Sequence, residues 1–282
     1  MRQVLEFFLC FFGFIALSAE HGAVATVDPL ATDAAVRVMK KGGNAIDAAV
    51  AAGLTLGVVN GYNSGIGGGC FIVARLANGQ VITINGRETA PAKAHRNMYL
   101  RNGKPDTSLS QLGPLASGVP GALAAYARLA KAHGKLPLRF HLETAAAVAE
   151  KGFTIPAAYA GRIRATAKGL AKFPASEALL FKTDGSPKVA GDLLKQPDLA
   201  RTYRAIAKEG TEWFYGGPFA RKTELWMKDN GGILAARDFT NYKTTSPPPV
   251  RTTYRGRTIL GMQPPSSGGV HVAQILNILE HF

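Results

Sequence analysis

Cysteine is scarce: the 282-residue chain has two, Cys10 and Cys70. Cys10 falls in an N-terminal segment that reads as removable, which leaves Cys70 alone and the mature chain without an internal disulfide. An exported protein manages without one when its core is large. Charged residues are few at 18%, against 46% hydrophobic, which excludes a charged disordered coil and points to a tightly packed α/β body. Acidic residues are outnumbered, 19 against 33 Lys and Arg, for a formal net charge of +14. Those basic residues are scattered, the densest groups being Lys40-Lys41 and Arg251, Arg255 and Arg257. No recognition-helix, zinc-finger or RNP-like pattern accompanies them, so no nucleic-acid partner is expected. Gly-x-Ser-x-Gly, His-Glu-x-x-His and Gly-Lys-Ser/Thr are all missing, which removes the hydrolase elbow, the zinc-protease helix and the phosphate loop. No metal or cofactor is expected.

The N-terminus reads as an export signal over residues 1–19. Arg2 supplies a positive start, and Phe7 to Leu17 is an apolar run too short for a bilayer, which needs about 20 residues. Ala16-Leu17-Ser18 or Leu17-Ser18-Ala19 offers a small-residue cleavage site, while Glu6 is atypical in such a flank. Phe7-Phe8-Leu9 is the wrong lead-in for a lipoprotein cysteine at Cys10. The reading is a periplasmic or secreted protein without a stable membrane span, residues 20–282 forming its body.

Asp28-Pro29 predicts a helix to about Lys41, ended by Gly42-Gly43, and Asn44 with Asp47 starts a second, to about Val59. Strands are expected at Cys70–Leu76 and Gln80–Ile84, joined by a tight Asn78-Gly79 hairpin. Helices are expected over Pro120–His133, His141–Lys151, Ile155–Lys172, Pro197–Glu209 and Pro218–Asn230. A second extended region, Arg251–Met262, follows Pro247-Pro248-Pro249. A last helix, capped by Ser267, runs from Val270 to Phe282 with apolar residues on both broad faces. It has no Gly cap or basic last turn, as a buried helix would if the chain stopped before its domain did.

Ser64-Gly65-Ile66-Gly67-Gly68-Gly69 follows a helix and opens a strand, the reverse of a dinucleotide fingerprint, so its glycines serve close backbone approach. Ser266, Ser267 and His271 read as a helix start, not a triad. Cys70, at a strand start among apolar neighbours, reads as an inert thiol. The informative stretch is Ile84-Asn85-Gly86-Arg87-Glu88-Thr89-Ala90-Pro91. It places an arginine at the end of an apolar strand, where a permanently charged fork can hold a carboxylate bidentately.

Six segments, in order, carry a resemblance. They are His21–Thr26, Lys41–Ala52, Ser64–Gly69, Arg87–Ala92, Ala116–Gly121 and Pro264–Gly269. Together they resemble the large-subunit portion of the γ-glutamyltransferases, a family of N-terminal-nucleophile hydrolases. The resemblance implies a four-layer αββα sandwich, incomplete in this chain, and a zymogen that cuts itself to expose a nucleophilic threonine. It implies cleavage of γ-glutamyl amides such as glutathione, with transfer of the γ-glutamyl group to water or to amino acids and peptides. Arg87 would clamp the α-carboxylate of the γ-glutamyl substrate, and a catalytic small subunit would be the partner.

The chain departs from the family pattern at Asn85, where an acidic residue is usual, at Asn60-Gly61-Tyr62-Asn63, and at Cys70. The processing motif, Thr-Thr-His followed by an aromatic residue and Ser, is missing, and neither Thr244-Thr245-Ser246 nor Thr252-Thr253-Tyr254 replaces it. The nucleophile is therefore expected beyond Phe282, and this chain alone is expected to be inactive. Exposed apolar edges are expected to make it poorly soluble. Two alternatives remain open: a related acylase of cephalosporin or poly-γ-glutamate type, and a non-catalytic binding protein on the same scaffold.

Overall fold

The computed structural model describes residues 22–282, and the expected export signal lies outside them. Helix α1 (Pro29–Lys40) begins where Asp28 accepts the Leu30 N–H at 2.9 Å and Pro29 takes the first helical position. Helix α2 (Ala45–Val59) begins with a capping box: Asn44 accepts from Ile46 and Asp47, and Asp47 accepts back from Asn44. Nearly every face of α2 is apolar, because it runs through the middle of the helical body with α1 on one side.

A hairpin follows, β1 (Cys70–Arg75) antiparallel to β2 (Val81–Gly86), with Cys70 opposite Gly86 and Arg75 opposite Val81. Its turn is one residue longer than the expected Asn-Gly pair. Leu76 pairs with Gln80 across Ala77–Gly79, and Gly79 holds the left-handed position at φ 85°. Next come the short hairpin β3 (Leu100–Arg101) and β4 (Lys104–Pro105), helix α3 (Ser108–Gln111), then α4 (Ala122–His133) and α5 (Leu138–Lys151). Strand β5 (Phe153–Thr154) pairs with β6 (Leu193–Leu194) around α6 (Ala157–Leu170) and α7 (Pro174–Leu180). Helices α8 (Pro197–Glu209), α9 (Glu212–Tyr215), α10 (Pro218–Asp229) and α11 (Ala236–Asn241) complete the body.

The core lies between α2, α4, α5 and α8, where Leu54, Leu123, Leu129, Leu142, Tyr203 and Ile206 are buried. Truncating a leucine there to alanine costs about 2–5 kcal/mol. One charge is enclosed with them. Asp47 is fully buried and accepts from the backbone of Asn44 (2.9 Å), Lys135 (2.8 Å) and Leu136 (3.1 Å), and it meets His141 Nε2 at 3.1 Å. Burial pushes its carboxyl up, but these hydrogen bonds outweigh burial and hold it below the usual carboxylate range. Burial pushes His141 the other way, below the usual imidazole range, although Asp47 opposes this, and its Nδ1 has no partner among the described residues.

The expected extended region at Arg251–Met262 is two strands, β7 (Val250–Tyr254) and β8 (Arg257–Gly261), closed by Arg255 at φ 46° and Gly256 at φ 71°. Helix α12 (Ser267–Leu279) packs on both strands, and its cap is Ser266 rather than Ser267, with Ser266 Oγ accepting from Gly268. The expectation of a buried last helix does not hold within this chain. Val272, Ile275, Ile278 and Leu279 are exposed, and only Ala273 is buried. The class is α+β, with every named strand in a two-stranded antiparallel sheet among the described residues.

Candidate carboxylate-binding edge

Strand β2 has β1 on one side, and on the other the irregular segment 242–247 runs antiparallel to it. Asn85 N–H donates to Thr245 O (2.8 Å), Thr245 N–H donates back to Asn85 O (3.2 Å), and the Thr83 hydroxyl donates to Pro247 O. Tyr242 makes the last tie, donating its hydroxyl to the carbonyl of Arg87 at 2.8 Å. Asn85 turns its side chain back and accepts the Arg87 N–H at 2.9 Å. The backbone of Arg87 is thus fixed from both sides while its side chain is 57% exposed. A strand end so held presents its guanidinium from a rigid base, the requirement for a preorganised anion clamp.

Glu88 is the guanidinium's neighbour, with Arg87 Nε 3.4 Å from Glu88 Oε2. Two of the glycine-bearing segments make room for this carboxylate. A Cβ on Gly69 would lie 2.8 Å from Glu88 Oε2 and 2.7 Å from the Gly86 carbonyl, and a Cβ on Gly118 would lie 3.1 Å from Glu88 Cβ. Thr89 and Val119 exchange backbone hydrogen bonds at 3.2 and 2.8 Å, so the third segment joins the same edge. Downstream, Asp238 of α11 accepts from Ala92 N–H at 2.9 Å.

Of the sequence-identified segments, Ser64–Gly69, Arg87–Ala92 and Ala116–Gly121 therefore converge. Lys41–Ala52 builds the Asp47 knot instead, and Pro264–Gly269 starts α12, where Gly261 and Gly269 pack backbone to backbone. Asn85, which stands where an acidic residue was expected, does not leave Arg87 without a carboxylate neighbour, because Glu88 takes that place. Sequence reading missed Glu88, Tyr242 and Asp238. Glu88 was adjacent and could have been noticed; Tyr242 lies 155 residues from Arg87 and carries no local signal.

Cys70 and Tyr242, at the same edge, stay protonated. Burial, then the charge of Glu88, pushes the Cys70 thiol up to about 11, which matches an inert cysteine. Burial, then Cys70 and Glu88, pushes the Tyr242 hydroxyl up to about 12, so it remains a donor. The edge has the chemistry to bind an anion, not to attack a carbonyl. Among the described residues no cluster of three or more His, Cys, Asp or Glu could hold a metal ion, and no helix is long and apolar enough to cross a membrane.

Known proteins similar to this chain in sequence and shape include gamma-glutamyltranspeptidases, glutathione hydrolases and acylases. The gamma-glutamyltranspeptidase family model matches residues 31–282. The glutathione hydrolase proenzyme of Escherichia coli strain K12 is 38% identical over 270 residues, which cover 95% of this chain and 47% of that protein. The acylase ACY 1 proenzyme of Pseudomonas sp. strain V22 is 39% identical, with 94% of this chain and 49% of that protein covered. The chain thus spans about half the length of these relatives. The crystal structure of Helicobacter pylori gamma-glutamyltranspeptidase superposes with a TM-score of 0.90 at 39% identity, covering 93% of this chain and 76% of that one. With a family match over most of its length and this degree of structural agreement, the chain belongs to the gamma-glutamyltranspeptidase family.

Proposed function

We propose that the chain is the large-subunit part of an exported γ-glutamyltransferase, or glutathione hydrolase, in which Arg87 clamps the α-carboxylate of the donor. The observation that carries this reading is an exposed guanidinium on a strand end whose backbone is held by Tyr242 and Asn85. In this reading a threonine supplied by the catalytic small subunit attacks the γ-carbonyl, its own α-amine taking the hydroxyl proton. The C–N bond breaks, the leaving amine accepts that proton, and the γ-glutamyl ester is resolved by water or an acceptor amine. The exposed apolar face of α12 supports a small subunit as the covering partner, since isolated apolar faces of this kind mark interfaces. The export signal at residues 1–19 and a periplasmic or extracellular location belong to the same proposal. A second reading, an acylase for another acyl group, is favoured by the similarity to the Pseudomonas acylase.

The test compares donors on the polypeptide that carries this chain together with the threonine-bearing segment. Replacing Arg87→Ala is expected to lower kcat/KM for γ-glutamyl-p-nitroanilide about 100-fold or more, the loss of a charge-assisted bidentate contact. The 4-aminobutyryl anilide, which lacks only the α-carboxylate, should be unaffected. A wild-type preference for the glutaryl anilide over the γ-glutamyl one would overturn the first reading in favour of the second.

A further inference from the structure

We infer that Tyr242 is a positioning residue for donor binding: its hydroxyl, held on the Arg87 carbonyl, fixes the direction in which the guanidinium leaves the strand. The inference rests on the reading of Arg87 as the carboxylate clamp, and it adds a part that lies far away in sequence. Tyr242 follows directly on α11, a short helix that ties down both ends of the arginine segment. Its Asp238 accepts the Ala92 N–H at 2.9 Å, and Tyr242 donates to the Arg87 carbonyl at 2.8 Å. The Tyr242 ring is itself braced. It stacks on Tyr215 with centroids 6.0 Å apart and planes 15° apart. The Tyr215 hydroxyl donates to Pro120 O and accepts from Ala124 N–H, each at 3.1 Å, which anchors the pair to the start of α4.

Space is kept for this hydroxyl. Any Cβ at position 121 would overlap it and also crowd the Gly86 carbonyl, so Gly121 leaves the route by which the phenol reaches Arg87. Three residues further on, Thr245 exchanges two hydrogen bonds with Asn85. Residues 85 and 87 are therefore pinned from one direction by residues 245 and 242, and the arginine side chain starts from a strand end tied at both of them. A tyrosine used only to fill space would need its ring and not its hydroxyl. The two roles separate on removal of one oxygen atom.

The experiment is Tyr242→Phe in the processed two-part enzyme, with Arg87→Ala and the double variant beside it. Tyr242→Phe keeps the stacked ring and removes one hydrogen bond, so KM for γ-glutamyl-p-nitroanilide should rise about five- to tenfold with kcat within about twofold. KM for the 4-aminobutyryl anilide should not move, and the double variant should be no worse than Arg87→Ala alone. Gly121→Ala, which displaces the hydroxyl by a different route, should give the same split between the two donors. Equal loss with both donors, or no loss with either, would overturn the positioning role. If Arg87→Ala fails to discriminate the donors, the clamp reading falls and this inference with it. If Arg87→Ala discriminates and Tyr242→Phe does not, only the inference falls.

Discussion

Two carboxylates in this chain, each beside a nitrogen-bearing side chain, differ sharply in solvent access. Asp47 and His141 have no exposed side-chain surface, and the carboxylate is saturated by three backbone N–H groups in addition to the ring. Arg87 and Glu88 are 57% and 37% exposed and 3.4 Å apart, with the backbone beneath them held and the charges left in water. The first arrangement joins the start of α2, the link between α4 and α5, and α5 itself. It is built for rigidity. The second contributes at most about 0–1 kcal/mol to folding, because solvent screens it, and leaves the guanidinium available to another carboxylate. A buried charge stabilises only while every partner is present, whereas an exposed one is free to exchange partners.

The largest expected effect comes from breaking the buried side. Asp47→Ala strands three backbone donors and His141 in the core and should cost about 3–5 kcal/mol. A large fall in the urea midpoint checks this, and Asp47→Asn, which keeps the size but sets an NH2 against donors, should fall less. Arg87→Ala should leave the stability within about 0.5 kcal/mol of wild type, the usual range for a surface change, whatever it does to the proposed donor contact. Equal destabilisation by Asp47→Ala and Arg87→Ala would erase the distinction between the two pairs.

Acid should separate the pairs further. His141 titrates lower in the fold than its unfolded value of about 6.5, so the unfolded chain binds the extra proton and stability falls as pH drops below about 6.5. Asp47 is also held below its unfolded value, about 3.9, so a second loss begins below that pH and continues down through its folded value. Urea midpoints measured from pH 8 to pH 3 should show both stages, and His141→Gln should remove the upper one. An unchanged upper stage in that variant would assign it to another group.

The buried side was legible in part and the exposed side in a different part, for physical reasons. Asn44 and Asp47 have the spacing of a capping box, so the start of α2 could be placed from sequence, as could Asp28-Pro29 at α1. That Asp47 would also take Lys135, Leu136 and His141 could not, since those partners lie 88 to 94 residues away. The place of Arg87 just past a strand end was legible from the apolar run before it, while its proposed role as a clamp came from the resemblance alone. Its support was not: Tyr242 lies just past a helix of under two turns whose pattern is too short to read. The β7–β8 turn was missed because Arg255-Gly256 is not an Asn-Gly or Asp-Gly signal, although both residues take the positive φ that such a turn needs.

The smallest expected effect tests whether Asn85 acts on the backbone or on the charge. Its side-chain oxygen accepts the Arg87 N–H at 2.9 Å, and aspartate can make the same bond. Asn85→Asp therefore retains the local turn and adds a negative charge close to a guanidinium that already has Glu88 beside it. In an exposed setting that charge is screened, so kcat/KM for the γ-glutamyl anilide should change by no more than about twofold at 0.15 M salt. The difference between Asn85→Asp and wild type should widen at low ionic strength and vanish at high. A tenfold change that persists in high salt would mean that residue 85 competes with the donor for the guanidinium itself. The exposed pair would then be a directed network like the buried one, and the contrast between them would rest on burial alone.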